Sequence, residues 1–330
     1  MTKSLISAAN LTVTFKTPYG PVFAVDGVSF ELGAGKTLGI VGESGSGKST
    51  IANAIVSLVE SSGDVVFDDI FVRSAKGKQR KELHRRIAMV YQDPMASLDP
   101  RRTIGSSILE PMEVHRLYRG KRAERLAELL EMVGLDSSLA SRYPRQLSGG
   151  QRQRACIARA LASDPDLIIL DEATASLDVS VQAQILNLLK RLQRENGISY
   201  LFISHDLAVV NHMSDQIIVL YLGKTMELVS NSELFAEGGD ISHNSRHPYT
   251  RSLLSAVPPV DVTDAPTQRI VLVGDLPSPA NPPSGCVFRT RCPIASNLCV
   301  EEKPTMVHLS TTHISACHRV KELEHLWNFG

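Results

Sequence analysis

Apolar and polar positions alternate near the start of the chain, with Leu11, Val13 and Phe15 separated by polar residues, and residues 25–32 repeat the pattern more loosely. A period of two predicts half-buried strands, and turn residues at 18–21 and 33–35 bound them. Residues 37–41 (TLGIV) are a short continuous apolar run, as expected of a strand covered on both faces, and they lead through a glycine-rich loop into helical spacing over 49–59. A charged stretch at 76–86 precedes a strand at 87–91. From 104 to about 140 the period is helical, with Leu126, Leu129, Leu130 and Val133 on one face, and a further helix runs from Ser148 to about Ala162. A strand-like run at 167–170 (LIIL), an amphipathic helix over 179–195 and another buried strand at 198–203 follow. This alternation predicts an α/β fold with a mostly parallel sheet covered on both faces. Past about Glu237 the periodicity fades, and Pro258, Pro259, Pro266, Pro277, Pro279, Pro282 and Pro283 crowd one segment, so a separate, loop-rich C-terminal domain is expected there.

Composition narrows the function. Of 330 residues, 43% are hydrophobic and 21% charged, which predicts a sizeable core rather than disorder. Lys+Arg and Asp+Glu both number 35, and this balance argues against a general nucleic-acid binder. No apolar run approaches the ~18 residues of a membrane span. Residues 1–10 carry one Lys and no apolar core, unlike a secretory signal, so the chain is expected in the cytosol or on the cytosolic face of a membrane.

The glycine-rich loop carries the first chemistry. Gly42-Glu43-Ser44-Gly45-Ser46-Gly47-Lys48-Ser49 fits G-x-x-x-x-G-K-[ST] between a predicted strand and a predicted helix. Such a loop turns successive N–H groups and a helix N-terminus toward phosphates. Lys48 adds a point charge on the β- and γ-phosphates, and the Ser49 hydroxyl is placed to ligate Mg²⁺. The buried run at 167–170 ends in Asp171 and Glu172. Asp171 is expected beside the Mg²⁺ water shell, and Glu172 is expected to polarise the attacking water. One lysine and two carboxylates describe an ATPase.

A second anion site is written in Ser148-Gly149-Gly150-Gln151, which opens a helix 20 residues before Asp171. One nucleotide does not need two such sites from one chain, so this one is expected to cap a phosphate held by another subunit. With these motifs the sequence resembles the ATP-binding subunit of an ABC transporter over essentially its whole length, and it looks like the oligopeptide/dipeptide-type (or nickel-type) importer branch. The resemblance implies a P-loop NTPase core with a mixed sheet at 1–238, a helical subdomain at about 93–163, and a small C-terminal domain at 239–330. It extends the nucleotide-binding set to Thr50 and implies a Q-loop glutamine at Gln92, contributing to Mg²⁺ or water. It also implies a D-loop ending at Asp178 and a switch histidine at His205. The adenine-stacking aromatic matches Tyr19 best, with Phe23 as competitor. Ala173 stands where the family usually has proline. The branch rests on Gln92 to Arg101 (QDPMASLDPR), on His247-Pro248-Tyr249-Thr250-Arg251, and on Leu276-Pro277-Ser278-Pro279 followed by Cys286.

Five cysteines are unevenly placed: Cys156 reads as a small buried residue, while Cys286, Cys292, Cys299 and Cys317 fall within the last 45 residues. Clustering in a reducing compartment suggests a metal site rather than disulfides. Their spacing is wider than zinc knuckles and suits a 4Fe–4S cluster, with Zn²⁺, unligated thiols, or mixed ligation by His308, His313 or His318 as alternatives. The family's C-terminal segment commonly carries this pattern, which looks like an iron–sulfur site.

The resemblance implies two chains sandwiching two ATPs, as a homodimer or with a sister ATP-binding subunit, on two transmembrane permease subunits fed by an extracytoplasmic substrate-binding protein. It places the chain peripherally on the cytoplasmic face of the inner membrane and implies uptake of dipeptides or oligopeptides, or alternatively of nickel or another small solute. A soluble, non-transport ABC ATPase usually carries two cassettes or a long coiled coil, whereas only 100 residues separate Ser49 from Gly150 here.

Overall fold

The computed structural model describes residues 3–18, 20–235, 247–256, 270–320 and 322. Its strands in chain order are β1 (Ser4–Thr17), β2 (Gly20–Gly33), β3 (Thr37–Val41), β4 (Ser62–Phe67), β5 (Ile70–Phe71) and β6 (Ile87–Val90). After these come β7 (Leu167–Asp171), β8 (Ser199–Ile203), β9 (Gln216–Tyr221), β10 (Lys224–Ser230), β11 (Val307–His308) and β12 (His313–Ser315). Two sheets result. An antiparallel sheet has the order β2-β1-β4-β5, and the main sheet runs β11-β12-β10-β9-β3-β8-β7-β6. Within the main sheet β9, β3, β8, β7 and β6 are parallel, while β10, β12 and β11 add antiparallel at one edge.

The continuous apolar runs behave as a doubly covered sheet requires: every residue of β3, β7 and β8 is buried. Alternate side chains feed two cores. Leu167, Ile169, Leu201 and Ile203 pack with Leu38 and Ile40 under the helix α1 (Lys48–Ile55). Ile168, Leu170, Tyr200 and Phe202 join a core with residues of the following helices on the opposite face.

Two of the expected helical stretches are shorter than the periodicity suggested. The helix expected over 49–59 stops at Ile55, because Ser57 takes a left-handed φ of 60°. The charged stretch forms α2 (Gly77–Arg86), whose last turn carries His84, Arg85 and Arg86 against the negative end of the helix dipole. After α3 (Pro94–Ser97), the stretch expected to be helical to about 140 divides into α4 (Ile104–Val114), α5 (Arg122–Met132) and a 3₁₀ turn at Ser137–Ser141. Arg116, Tyr118 and Gly120 all have positive φ and break the run. α4 and α5 pack on α6 (Gly149–Leu161), forming a helical lobe between β6 and β7, and α7 (Val179–Asn196) and α8 (Leu207–Met213) cover the main sheet.

The C-terminal segment joins the main sheet. β12 pairs with β10, matching Ser315 to Glu227, and Tyr249, Leu254, Val287 and Phe288 share a core with Tyr221. The division at 238/239 lies outside the described residues.

Candidate functional site

Parallel strands bring their C-terminal ends to one edge, and the predicted motifs leave the sheet there. β3 releases the loop 42–49, β7 ends at Asp171, β8 leads to His205, and β6 leads to Gln92, which is exposed. Backbone bonds tie these exits together: Glu172 N–H donates to the Ile203 carbonyl at 3.0 Å, and Ser204 N–H donates to the Ile40 carbonyl at 3.1 Å.

The loop fits only if its glycines stay glycines. Gly47 has φ 100°, and a Cβ there would lie 2.2 Å from the Ala24 carbonyl oxygen. Lys48 is buried, and its Nζ donates to the carbonyls of Gly42 at 2.8 Å and Glu43 at 3.0 Å, so the ammonium closes its own loop. Ser46 Oγ is buried without a hydrogen-bond partner among the described residues. Burial lowers the Lys48 pKa, and the charges of Glu172, Asp171 and Glu43 oppose that shift.

Ser49 Oγ donates to Asp171 Oδ1 at 2.8 Å, placing a hydroxyl and a carboxylate together. Mg²⁺ keeps several waters and takes phosphate oxygens, so these two donors suffice for the protein's share. Burial raises the Asp171 pKa, against the Ser49 hydrogen bond and the Lys48 charge. Glu172 has a left-handed φ of 47°, a strained backbone position that turns its carboxylate between the Lys48 ammonium and the His205 imidazole. Its Oε1 lies 3.8 Å from Lys48 Nζ and its Oε2 lies 3.4 Å from His205 Nδ1. Ala173, where proline is usual, is buried. Of the aromatic candidates, Tyr19 lies outside the described residues, and Phe23 is exposed beside Ala24, which the loop abuts.

Ser148 to Gln151 form a second, separate element. Ser148 caps α6, accepting from Gln151 N–H at 3.3 Å while its own N–H donates to Gln151 Oε1 at 2.9 Å. Gly150 lies so close to α7 that a Cβ would meet Val181 Cγ1 at 2.6 Å. Asp178 caps α7 by accepting from Val181 N–H at 3.0 Å, so residues 148–151 and Asp178 meet through Val181 in the first turn of α7.

Cys286, Cys292, Cys299 and Cys317 converge on one small cavity that His247, Phe288 and His318 also line. No group of three His, Cys, Asp or Glu side chains among the described residues is gathered closely enough to hold a metal ion. Burial raises the thiol of Cys286 and pushes Cys292 up to about 12 and Cys317 up to about 11. His313 is elsewhere, donating or accepting between Glu227 Oε1 at 2.6 Å and Glu233 Oε1 at 3.2 Å, and His308 is exposed. His318 Nε2 lies 3.0 Å from the Glu302 carbonyl oxygen. Cys156 is buried, as expected of a packing residue.

Sequence reasoning missed two neighbours of the phosphate loop, Tyr249 and Arg291. Tyr249 stands in the segment 247–251 that carries the importer-branch resemblance, with nothing local to link it to the loop, and no local signal marks Arg291, which lies 248 residues from its partner Glu43.

A family model described as "ABC transporter" matches residues 25–175, and one described as "Oligopeptide/dipeptide transporter, C-terminal region" matches 235–299. The chain is 50% identical over 308 residues to the oligopeptide transport ATP-binding protein AppF of Bacillus subtilis, covering 92% of each. It is 49% identical over 301 residues to the oligopeptide transport ATP-binding protein OppF of Haemophilus influenzae, covering 90% of this chain and 89% of that one. Among solved structures it resembles the ATP-binding cassette MJ0796, a dimer in a post-hydrolysis state bound to ADP and Pi. That match has a TM-score of 0.61 and 32% identity over 68% of this chain and 98% of the other.

Proposed function

The chain belongs to the ABC transporter ATP-binding family, and from that premise we propose that it is the ATP-hydrolysing subunit of an importer for dipeptides or oligopeptides. The observation that carries the chemistry is Glu172 held between Lys48 and His205 at the mouth of the phosphate loop. Its relatives are named for oligopeptide transport, which supports peptide over nickel as cargo.

Each residue then has a task. The amides of 44–50 and the Lys48 ammonium hold the β- and γ-phosphates, and Ser49 and Asp171, together with Gln92, would hold Mg²⁺. The metal, when bound, offsets charge on the transferring phosphoryl group. Glu172 accepts a proton from the attacking water at a carboxylate oxygen, and His205 orients that carboxylate and the γ-phosphate. Ser148, Gly149, Gly150 and Gln151 present their helix N-terminus to the γ-phosphate of a second chain, a sister ATP-binding subunit or another copy. Asp178 fixes that helix across the pair. Tyr19 or Phe23 stacks on the adenine.

Two permease subunits are the partners through which the pair acts, receiving cargo from an extracytoplasmic binding protein. No helix among the described residues is long and apolar enough to cross a membrane, and we place the chain on the cytoplasmic face of the inner membrane. A cleft of about 410 Å³ between the sheet and the helical lobe, lined by Leu83, Met89, Tyr91, Pro111 and Val114, supports permease docking beside Gln92. We keep the division of the chain into a nucleotide-binding domain at 1–238 and a C-terminal domain at 239–330 as part of this proposal.

The four C-terminal thiols would hold a 4Fe–4S cluster, with Zn²⁺ as the alternative. A donor set of four sulfurs and no carboxylate around one cavity suits a soft metal.

Uptake of a labelled dipeptide and oligopeptide by cells lacking this chain is the test. Restoration by the wild type and not by Glu172→Gln supports the reading. Restoration by both variants, or unchanged uptake without the chain, would overturn it.

A further inference from the structure

Glu43, the second residue of the phosphate loop, is gripped at three points. Its backbone N–H donates to Tyr249 Oη at 2.9 Å, its Oε2 accepts from Arg291 Nη1 at 2.8 Å, and its carbonyl accepts from Lys48 Nζ at 3.0 Å. The first two partners come from the C-terminal segment, and the third is the residue that meets phosphate. Glu43 therefore links that segment to the ammonium at the centre of the site.

The two outside partners are themselves rigid. Tyr249 is fully buried, and its ring meets Tyr221 edge-on with centroids 4.9 Å apart. Phe288 packs against both, at 5.2 Å from Tyr221 and 5.3 Å from Tyr249. The Arg291 guanidinium lies 5.9 Å from the Tyr221 ring, and its side chain is only 11% exposed. A partly buried ion pair is a poor way to gain stability, since apolar replacements often serve as well. On a catalytic loop it fixes geometry instead. The Tyr249 bond commits the Glu43 amide to the protein, which sets where the following amides and Lys48 point.

We propose that Arg291 and Tyr249 are positioning residues for the phosphate loop, so that the C-terminal segment sets the affinity of the site for MgATP. The inference rests on reading 42–49 as the nucleotide site. Arg291 directly precedes Cys292, which lines the thiol cavity, so one loop presents both the thiol and the guanidinium.

The test is the dissociation constant for MgATP of the full chain, from competition with a fluorescent ATP analogue, with thermal melts to verify folding. Tyr249→Phe removes one oxygen and keeps the ring stack, while Arg291→Gln removes the charge. Each is expected to weaken binding by about fivefold or more, as loss of a hydrogen bond to a backbone amide or to a charged partner does. Arg291→Lys should recover part of that loss, which a merely structural role would not predict. Arg291→Gln combined with Glu43→Gln should bind no more weakly than the poorer single variant, because both remove one interaction. Affinity within about twofold of wild type in either folded variant, or losses that add in the double variant, overturns the proposal. Wild type and Lys48→Met binding MgATP equally poorly would instead overturn the nucleotide-site reading beneath it.

Discussion

His205 Nδ1 lies 3.4 Å from Glu172 Oε2, while the other oxygen of the same carboxylate faces the Lys48 ammonium at 3.8 Å. The histidine and the carboxylate come from the ends of adjacent parallel strands, and the Asp171–Ile203 register sets their approach. Glu172 is thus oriented from two sides, as the base proposed here would need in order to meet water at a defined position.

Lys48 Nζ donates to the carbonyls of Gly42 and Glu43 within the loop proposed to hold the phosphates. Lys48→Met keeps the length of the side chain and removes the charge. Equilibrium titration should show MgATP binding weakened at least about tenfold, as expected for charge-assisted hydrogen bonds. Unchanged affinity would mean that the loop does not hold the triphosphate.

Most of this site was legible in sequence because it is written in short segments. The loop 42–49, Asp171-Glu172 and His205 each follow a buried strand, and parallel pairing of such strands brings their ends together. Helix ends were less legible: Ser57, Arg116 and Tyr118 break their helices with positive φ, and none is a glycine or proline. The contacts of Glu43 with Tyr249 and Arg291 were not legible, since they depend on how the C-terminal segment folds back onto Tyr221. Likewise His313 sits among residues that suggested metal ligation, yet antiparallel pairing of β12 with β10 carries it to Glu227.

The second half-site should be separable from the first. Ser148→Arg replaces a helix cap with a bulky cation where the signature is expected to meet another chain's nucleotide. MgATP binding by the variant chain should persist, while turnover falls about 100-fold through misplacement of the pair. Retained turnover would contradict the shared-site arrangement.

His313 supplies a pH signature. Burial opposes its charge, but hydrogen bonds and charges from Glu227 and Glu233 outweigh burial and raise its pKa above the ordinary value of 6.5. A raised folded-state pKa means that the protonated form stabilises the fold. That contribution is complete below about pH 6.5 and is lost as pH rises through the higher folded value. His313→Gln should therefore lower stability by about 2 kcal/mol near pH 6 and by less near pH 9, measured by denaturant unfolding. An equal loss at both pH values would contradict the protonated clamp.

Anaerobic purification followed by iron, acid-labile sulfide and zinc analysis tests the thiol cavity. About four irons and four sulfides per chain are expected, with both reduced in Cys292→Ser. One zinc without sulfide would make the segment a zinc site. Neither metal would contradict ligation by these thiols.

The most direct measurement is Mg²⁺-dependent phosphate release from ATP, comparing wild type with Glu172→Gln alongside equilibrium ATP binding. The account predicts that wild type releases phosphate and that Glu172→Gln binds ATP as tightly while its turnover falls at least about 100-fold, the scale of losing a general base. Turnover that survives Glu172→Gln, or no phosphate release from wild type assembled with its permease partners, would contradict it.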